Sequence, residues 1–158
     1  MIFVTLGSQK FQFNRLLKEL DRLVGTKKIE KEIFAQTGYS DYKPKNFKYK
    51  NFLEREEFVK YMEESDIVIT HGGTGAIITA VKQGKKVIAI PRLAKYGEHV
   101  DDHQMQLIQE FEEAGLIKAV YDEKKLDRDL KTIDNIKFAE YKSNTENIIK
   151  DIINFINK

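Results

Sequence analysis

The sequence contains no cysteine among its 158 residues, which excludes both a disulfide framework and a zinc site built from thiolates. A charge excess of one sign is also missing, because 27 basic and 25 acidic residues leave a net charge of only +2. So small an excess argues against a protein that binds nucleic acid mainly through electrostatic attraction. The apolar runs, such as 67–69 and 87–90, are strand-length and far below the ~20 residues that cross a bilayer.

The composition is that of a globular protein, with 41% hydrophobic and 33% charged residues. The length predicts one domain at roughly 150 residues per domain. The first residues, 1–5, lack the basic segment that opens a secretory signal peptide, so we expect a cytoplasmic location.

Short β-rich runs alternate with segments in which apolar residues recur at helical spacing. Strands are predicted at residues 2–6, 33–35, 47–52, 66–70, 86–90 and 116–121, and helices at 13–24, from about 54, at 74–83 and at 102–114. This alternation predicts an α/β fold with a Rossmann-like, doubly wound parallel sheet. In such a sheet ligands bind at the carboxyl ends of the strands, where the strand order reverses.

The C-terminal segment has a different pattern. Ser143 and Glu146 fit a capping box, in which each side chain binds a free N–H group at the start of a helix. The apolar stripe behind it, 148–156, predicts an amphipathic helix. We therefore expect residues 1–130 to form the ligand-binding domain and residues 131–158 to form a helical tail, packed on the domain or on a partner.

A glycine-rich turn follows the strand predicted at 66–70 and opens the next helix. Its residues are His71, Gly72, Gly73, Thr74 and Gly75. Glycines let backbone N–H groups approach a ligand closely, and the start of a helix attracts anions, so the turn suits a phosphate group. The spacing matches neither the dinucleotide fingerprint nor the P-loop. Close packing of strand and helix alone would also explain such a turn.

Two further loops leave strands at the same predicted edge. The first contains Gly7 and Ser8, which would also fit an ordinary helix cap. The second, 91–104, is long and polar, as functional loops often are. Its polar side chains can donate and accept hydrogen bonds and so suit the hydroxyl groups of a ligand, whereas their spacing matches no recognised metal site. These residues are His99, Asp101, Asp102, His103 and Gln104.

Four segments occur in this order along the chain: 7–9, 71–75, 84–92 and 98–104. Together they resemble the donor-binding, C-terminal half of the GT-B glycosyltransferases related to MurG. They are more similar still to small split subunits of the Alg13/PssE type, in the branch that makes bacterial exopolysaccharide and capsule. The resemblance extends from Met1 to about Tyr121.

The resemblance implies that residues 1–130 bind a UDP-sugar as one subunit of a two-component inverting glycosyltransferase. The other component would be a membrane-anchored, acceptor-binding subunit of the Alg14/PssD type, which would recruit this chain to the inner face of the plasma membrane. A hexose would pass from the UDP-sugar to a lipid-linked saccharide. No nucleic acid, no cofactor and no obligatory metal are expected.

The resemblance also assigns roles to individual residues. Gly73, Thr74 and Gly75 would cradle the donor diphosphate, while Gly7 and Ser8 would line the cleft. His103 and Gln104 stand at the sugar-hydroxyl positions, with Asp101 and Asp102 nearby, and His71 would bind phosphate or shape the turn with Gly72. The ribose position, where many relatives carry Glu, is occupied by Thr79. The catalytic base stays unassigned in this chain, where His99 is the one candidate.

Two alternatives remain open at this point. The chain could be a non-catalytic subunit that enhances or stabilises a membrane-associated transferase. It could also be a doubly wound domain of another kind, such as a response-regulator-like fold, that binds a different phosphorylated ligand. Surfaces expected to meet a partner are the cleft rim at Phe11 and Phe13 and the helix at 148–156.

Overall fold

The computed structural model describes residues 1–140, 142 and 145–156, with the backbone alone at position 156. Within these residues, six parallel strands form one sheet in the order β3-β2-β1-β4-β5-β6, which confirms the predicted Rossmann-like fold. The strands are β1 (Ile2–Thr5), β2 (Ile33–Gln36), β3 (Lys48–Lys50), β4 (Ile67–His71), β5 (Lys86–Ile90) and β6 (Lys118–Ala119). The helices are α1 (Asn14–Gly25), α2 (Arg55–Glu64), α3 (Thr74–Lys82), α4 (His103–Glu113), α5 (Leu126–Thr132) and α6 (Thr145–Ile156), with 3-10 turns at Ala94–Tyr96, Glu123–Lys125 and Ile133–Asn135.

Both faces of the sheet are buried, as a parallel sheet requires. Ile2 and Val4 of β1 point to the face that α1 and α5 cover, whereas Phe3 points to the opposite face. The second face is covered by apolar side chains from α2, α3, α4 and α6; these include Met62, Ile77, Ile108, Ile149 and Ile152. The alternation along each strand therefore builds two cores, one on each side of the sheet.

The strand order reverses between β1 and β4. The chain leaves β1 toward α1 on one face and leaves β4 toward α3 on the other, so a crevice opens above the carboxyl ends of these strands. This order also differs from the 2-1-3-4-5 order of flavodoxin-like sheets, to which the response-regulator alternative belongs.

The sequence predicts the long, apolar elements best. The edge strands β3 and β6 are shorter than predicted. Each pairs with a single neighbouring strand, and the remaining residues of the predicted ranges have no partner residue in that strand. Residues 126–135 form α5 and a 3-10 turn that the sequence does not predict, since polar residues there obscure the apolar spacing. In the predicted capping box, Ser143 lies outside the described residues, and α6 begins at Thr145.

The C-terminal amphipathic helix is confirmed. Within α6, Ile149 and Ile152 are buried in the second core. Ile148 and Phe155 are exposed. Among the described residues, no helix combines the length and the apolar character needed to span a bilayer.

Candidate functional site

A cleft of about 270 Å³ opens at the carboxyl ends of β1, β4 and β5. It joins the loop after β1, the glycine-rich turn before α3, the start of α4 and one side chain of α6. The lining residues are Gln9, Gly72, Gly73, Thr74, His99, His103, Gln104, Leu107 and Ile153. The structure thus brings the predicted glycine-rich turn and the polar loop of 91–104 into one site.

The start of α3 faces this cleft. β4 ends at His71, Gly73 has an extended backbone, and the helix begins at Thr74. The first N–H groups of a helix have no partner inside the helix, and together with the helix dipole they attract an anion. Gly75 is exposed, and a Cβ atom built on it would meet no other atom within 4 Å. The protein's own packing therefore does not require a glycine at position 75.

The imidazole of His71 is buried directly below the glycine-rich turn. Its Nδ1 accepts a hydrogen bond from Nε2 of Gln104 at 3.2 Å, so the ring proton is on Nε2. Burial, followed by the positive charge of Arg92, lowers the pKa of His71 from 6.5 to about 3. The ring is therefore neutral throughout the physiological range.

Two glycines leave room for this ring. A Cβ atom on Gly7 would lie 2.6 Å from Nε2 of His71, and one on Gly73 would lie 2.8 Å from the same atom. Gly7 also has a φ of 72°, in the left-handed region that favours glycine. The Nε2–H group therefore occupies the gap between the loop after β1 and the glycine-rich turn.

Gln104 connects the ends of β4 and β5 through one side-chain amide. Its Oε1 accepts hydrogen bonds from the backbone N–H groups of Gly72 and Arg92, both at 3.1 Å, while its Nε2 donates to His71. The two backbone donors fix the orientation of the amide. Gln104 was predicted to bind sugar hydroxyls, and in the structure its oxygen is already engaged by the protein.

Arg92 is a fully buried cation beneath the cleft, with 1% of its surface exposed. Its guanidinium donates to the backbone carbonyl oxygens of Leu6 (2.6 Å), Phe11 (2.9 Å), Gln12 (3.2 Å) and Glu98 (3.3 Å). Burial lowers the pKa of Arg92 to about 10, so the group stays charged at neutral pH. Arg92 thereby ties the loop after β1 to the loop after β5.

A buried ion pair between Arg15 and Glu98 supports the polar loop. The Glu98 carboxylate is fully buried and accepts two hydrogen bonds from Arg15, at 3.0 and 2.9 Å. It also accepts the backbone N–H of Leu93 at 3.0 Å. The sequence gives Glu98 no role, yet its bidentate pairing fixes the path of the loop.

The predicted residues of the polar loop lie in different places. His99 and His103 line the cleft, whereas Asp101 and Asp102 are not among the lining residues. Asp101 accepts the backbone N–H of His103 at 3.0 Å and lies 3.2 Å from Nδ1 of His99. Asp102 accepts the backbone N–H of Ala94 at 2.9 Å. Both aspartates therefore hold the loop.

Other predicted residues lie outside the lining. Ser8 is exposed on the loop after β1, and the hydroxyl of Thr79 donates to the carbonyl of Gly75 at 2.9 Å. The prediction that Phe13 lies at the rim of the cleft is wrong, because Phe13 is fully buried in the first core. Three lining residues have no role predicted from the sequence: Gln9, which lies in the segment 7–9, Leu107, and Ile153, which lies in the apolar stripe of the last helix.

No group of three or more His, Asp or Glu side chains converges to hold a metal ion in the part of the chain that the structure describes.

Comparison with solved structures identifies GT-B-like neighbours. The chain aligns with a glycosyltransferase of kitacinnamycin (13% identity, TM-score 0.57), with MurG of Acinetobacter baumannii (18%, 0.54) and with SnogD of Streptomyces nogalater (18%, 0.54). The alignments cover 98–99% of this chain but only 39%, 49% and 39% of those chains. At these identities the likeness shows the fold alone. No match was found among curated proteins.

The family model described as "Glycosyltransferase family 28 C-terminal domain" matches residues 1–156. The match includes each strand end that contributes to the cleft, from the loop after β1 to the start of α4, and also reaches α6. The chain therefore belongs to the glycosyltransferase family 28 C-terminal domain family.

Proposed function

We propose that this chain binds the UDP-sugar donor of an inverting glycosyltransferase in the cleft between α3 and α4. The observation that carries the proposal is the start of α3, where free backbone N–H groups face a cleft at the reversal point of the sheet. The diphosphate would lie at Gly73, Thr74 and Gly75. Membership of the family supports the same ligand class.

The protein's own groups suit the leaving diphosphate. When the acceptor hydroxyl attacks the anomeric carbon, the bond from that carbon to the diphosphate oxygen breaks and UDP leaves with the electron pair. Backbone N–H groups at the start of α3 would stabilise the added charge without reorganising. The Nε2–H group of His71 points into the same gap and would donate a further hydrogen bond. A bound metal is not required by this scheme.

We further propose that the complete transferase has a second component. The chain spans 39–49% of the length of its structural neighbours, the size of one half of a GT-B enzyme. A membrane-anchored, acceptor-binding subunit of the Alg14/PssD type would complete the site and supply the catalytic base. The reaction would then transfer a hexose to a lipid-linked intermediate of exopolysaccharide or capsule synthesis at the inner face of the membrane.

Gly75 provides the sharpest test, because its substitution does not disturb the free protein. Gly75→Ala and Gly75→Met place side chains of increasing size in open space on a helix, where glycine is otherwise unfavourable by about 0.5–1 kcal/mol. We expect unchanged or higher stability. We also expect UDP affinity, measured by calorimetry, to fall stepwise and by about tenfold or more for Met, since 1.4 kcal/mol of lost contact corresponds to a factor of ten.

Glu56→Ala is the matched control, because Glu56 is the second residue of α2, as Gly75 is of α3, and lies away from the cleft. Equal UDP affinity in Gly75→Met and the wild type would refute the binding site. In membranes that contain the partner, loss of sugar transfer in Gly75→Met would support a donor-binding subunit. Full transfer activity in that variant would support the alternative of a non-catalytic, stabilising subunit.

A further inference from the structure

The short segment from His99 to His103 contains an ordered group of side chains at the mouth of the cleft. Oδ1 of Asp101 accepts the N–H of His103 at 3.0 Å and lies 3.2 Å from Nδ1 of His99. Oδ2 of the same carboxylate lies 4.0 Å from Nδ1 of His103. The other side of the His99 ring packs on Phe11, with ring centroids 5.6 Å apart. His99 is therefore fixed from two sides.

This arrangement favours a proton on Nδ1 of His99. The hydrogen bond from the backbone N–H of His103 holds the pKa of Asp101 below its usual range, so Asp101 is ionised at neutral pH. An ionised carboxylate can only accept a hydrogen bond, so it favours a proton on the Nδ1 atom that lies 3.2 Å away. In the competing arrangement Nδ1 accepts a hydrogen bond from the backbone N–H of Asp101, but that bond is longer, at 3.4 Å, and involves no charged partner. The Nδ1–H form leaves a lone pair on Nε2.

A sugar hydroxyl in the cleft requires a hydrogen-bond acceptor, and Nε2 of His99 would provide one. Its backbone N–H groups at Gly73 and Thr74 are donors, and the oxygen of Gln104 already accepts two hydrogen bonds. Gln9 and His103 lie exposed to solvent, whereas the His99 side chain is only 16% exposed. A sugar hydroxyl that enters the cleft must donate its proton to some acceptor, because a buried unpaired donor is costly.

We propose that Asp101 is a positioning residue that orients His99, and that Nε2 of His99 accepts a hydrogen bond from a hydroxyl group of the donor sugar. The inference rests on the proposed binding of a UDP-sugar in this cleft. It places a neutral hydroxyl group of the sugar on the side of the cleft that is formed by the loop after β5. The nucleotide does not contact His99.

The test compares UDP with UDP-sugars in calorimetric titrations of the full chain. UDP-glucose, UDP-galactose and UDP-N-acetylglucosamine are the probes, and the donor that binds the wild type most tightly is used for the variants. His99→Phe keeps a ring against Phe11 but has no lone pair, whereas His99→Gln keeps an acceptor oxygen. We expect His99→Phe to weaken UDP-sugar binding about three- to tenfold, as for one lost hydrogen bond, with UDP affinity unchanged. His99→Gln should retain most of the affinity.

Asp101→Asn should weaken UDP-sugar binding by a similar factor. Its matched control is Asp122→Asn, because Asp122 also accepts the N–H of the second residue after it, Lys124, at 3.0 Å and has no such role at the cleft. Long-range nitrogen-15 NMR should show the Nδ1–H form of His99 in the wild type and a shift toward the Nε2–H form in Asp101→Asn. This readout separates positioning from a loss of helix stability.

Three results would overturn the inference: unchanged UDP-sugar affinity in His99→Phe, an equal loss in His99→Gln, or an Nε2–H form of His99 in the wild type. Each of these leaves the proposed function intact if UDP still binds at Gly75. Absence of UDP binding to the wild-type chain would instead refute the proposed function itself.

Discussion

Acidification should destabilise this protein through one buried side chain, His71. Its pKa is lowered from 6.5 to about 3 in the folded state, first by burial and then by the charge of Arg92. Below pH 6.5 the unfolded chain binds a proton that the folded protein excludes, so the free energy of unfolding falls as the pH falls. His71 thus contributes stability that is complete above its unfolded pKa and is lost between pH 6.5 and pH 3.

The size of this effect follows from linkage. Each pH unit in the window is worth about 1.4 kcal/mol, so lowering the pH from 7.5 to 4.5 should remove roughly 2–3 kcal/mol of stability. Carboxylates with lowered pKa values act in a different window. The pKa values of Asp21, Asp66 and Asp101 are lowered, so their contributions are present above about pH 4 and are lost only at more acidic values.

Urea unfolding monitored by circular dichroism at pH 7.5, 6.5, 5.5 and 4.5 measures the effect. The comparison variant is His71→Asn, whose amide oxygen can replace Nδ1 as the acceptor for Gln104 without a titratable group. We expect the variant to be less stable at pH 7.5, because the smaller side chain leaves a cavity, and to lose less stability than the wild type on acidification. The same slope for both proteins between pH 6.5 and pH 4.5 would refute the reasoning.

Two further substitutions test the framework below the cleft. Arg92→Met should lower the free energy of unfolding by about 3–5 kcal/mol, because four backbone carbonyls lose their buried donor. The exposed control Arg55→Met should change it by less than about 0.5 kcal/mol. A loss below about 1 kcal/mol for Arg92→Met would contradict the role assigned to Arg92. Gly7→Ala should cost more stability than Gly84→Ala, since both residues have φ near +70° but only the Cβ at Gly7 would meet the His71 ring; equal costs in thermal unfolding would exclude that steric constraint.

The sequence predicts those features that depend on neighbouring residues. Buried strands such as 66–70 and 86–90 stand out because their apolar runs are local, and glycine-rich turns are visible because their residues are consecutive. The long loop 91–104 stands out by its polar composition, and the structure places three of its residues at the cleft. These signals suffice for the fold and for the edge of the sheet that carries the cleft.

The supports of the site depend on partners that lie far apart in the chain. Arg92 binds the carbonyl of Leu6, 86 residues away, and Glu98 binds Arg15, 83 residues away. No spacing rule reveals such pairs in a single sequence. Gln104 shows the consequence, because its amide suits a sugar hydroxyl on chemical grounds and yet its oxygen is engaged by Gly72 and Arg92.

Ile153 makes the last helix of the described chain part of the wall of the cleft. On the same helix, Ile149 and Ile152 are fixed in the core, whereas Ile148 and Phe155 face solvent. A molecule that binds this exposed side therefore contacts a helix that also borders the cleft. Any free energy of coupling between the two contacts must be equal in both directions. A ligand in the cleft would therefore change the affinity of the exposed side of α6 by the same factor as binding there changes the affinity of the cleft. Through α6, the cleft of the proposed donor site shares one helix with a solvent-exposed surface of the domain.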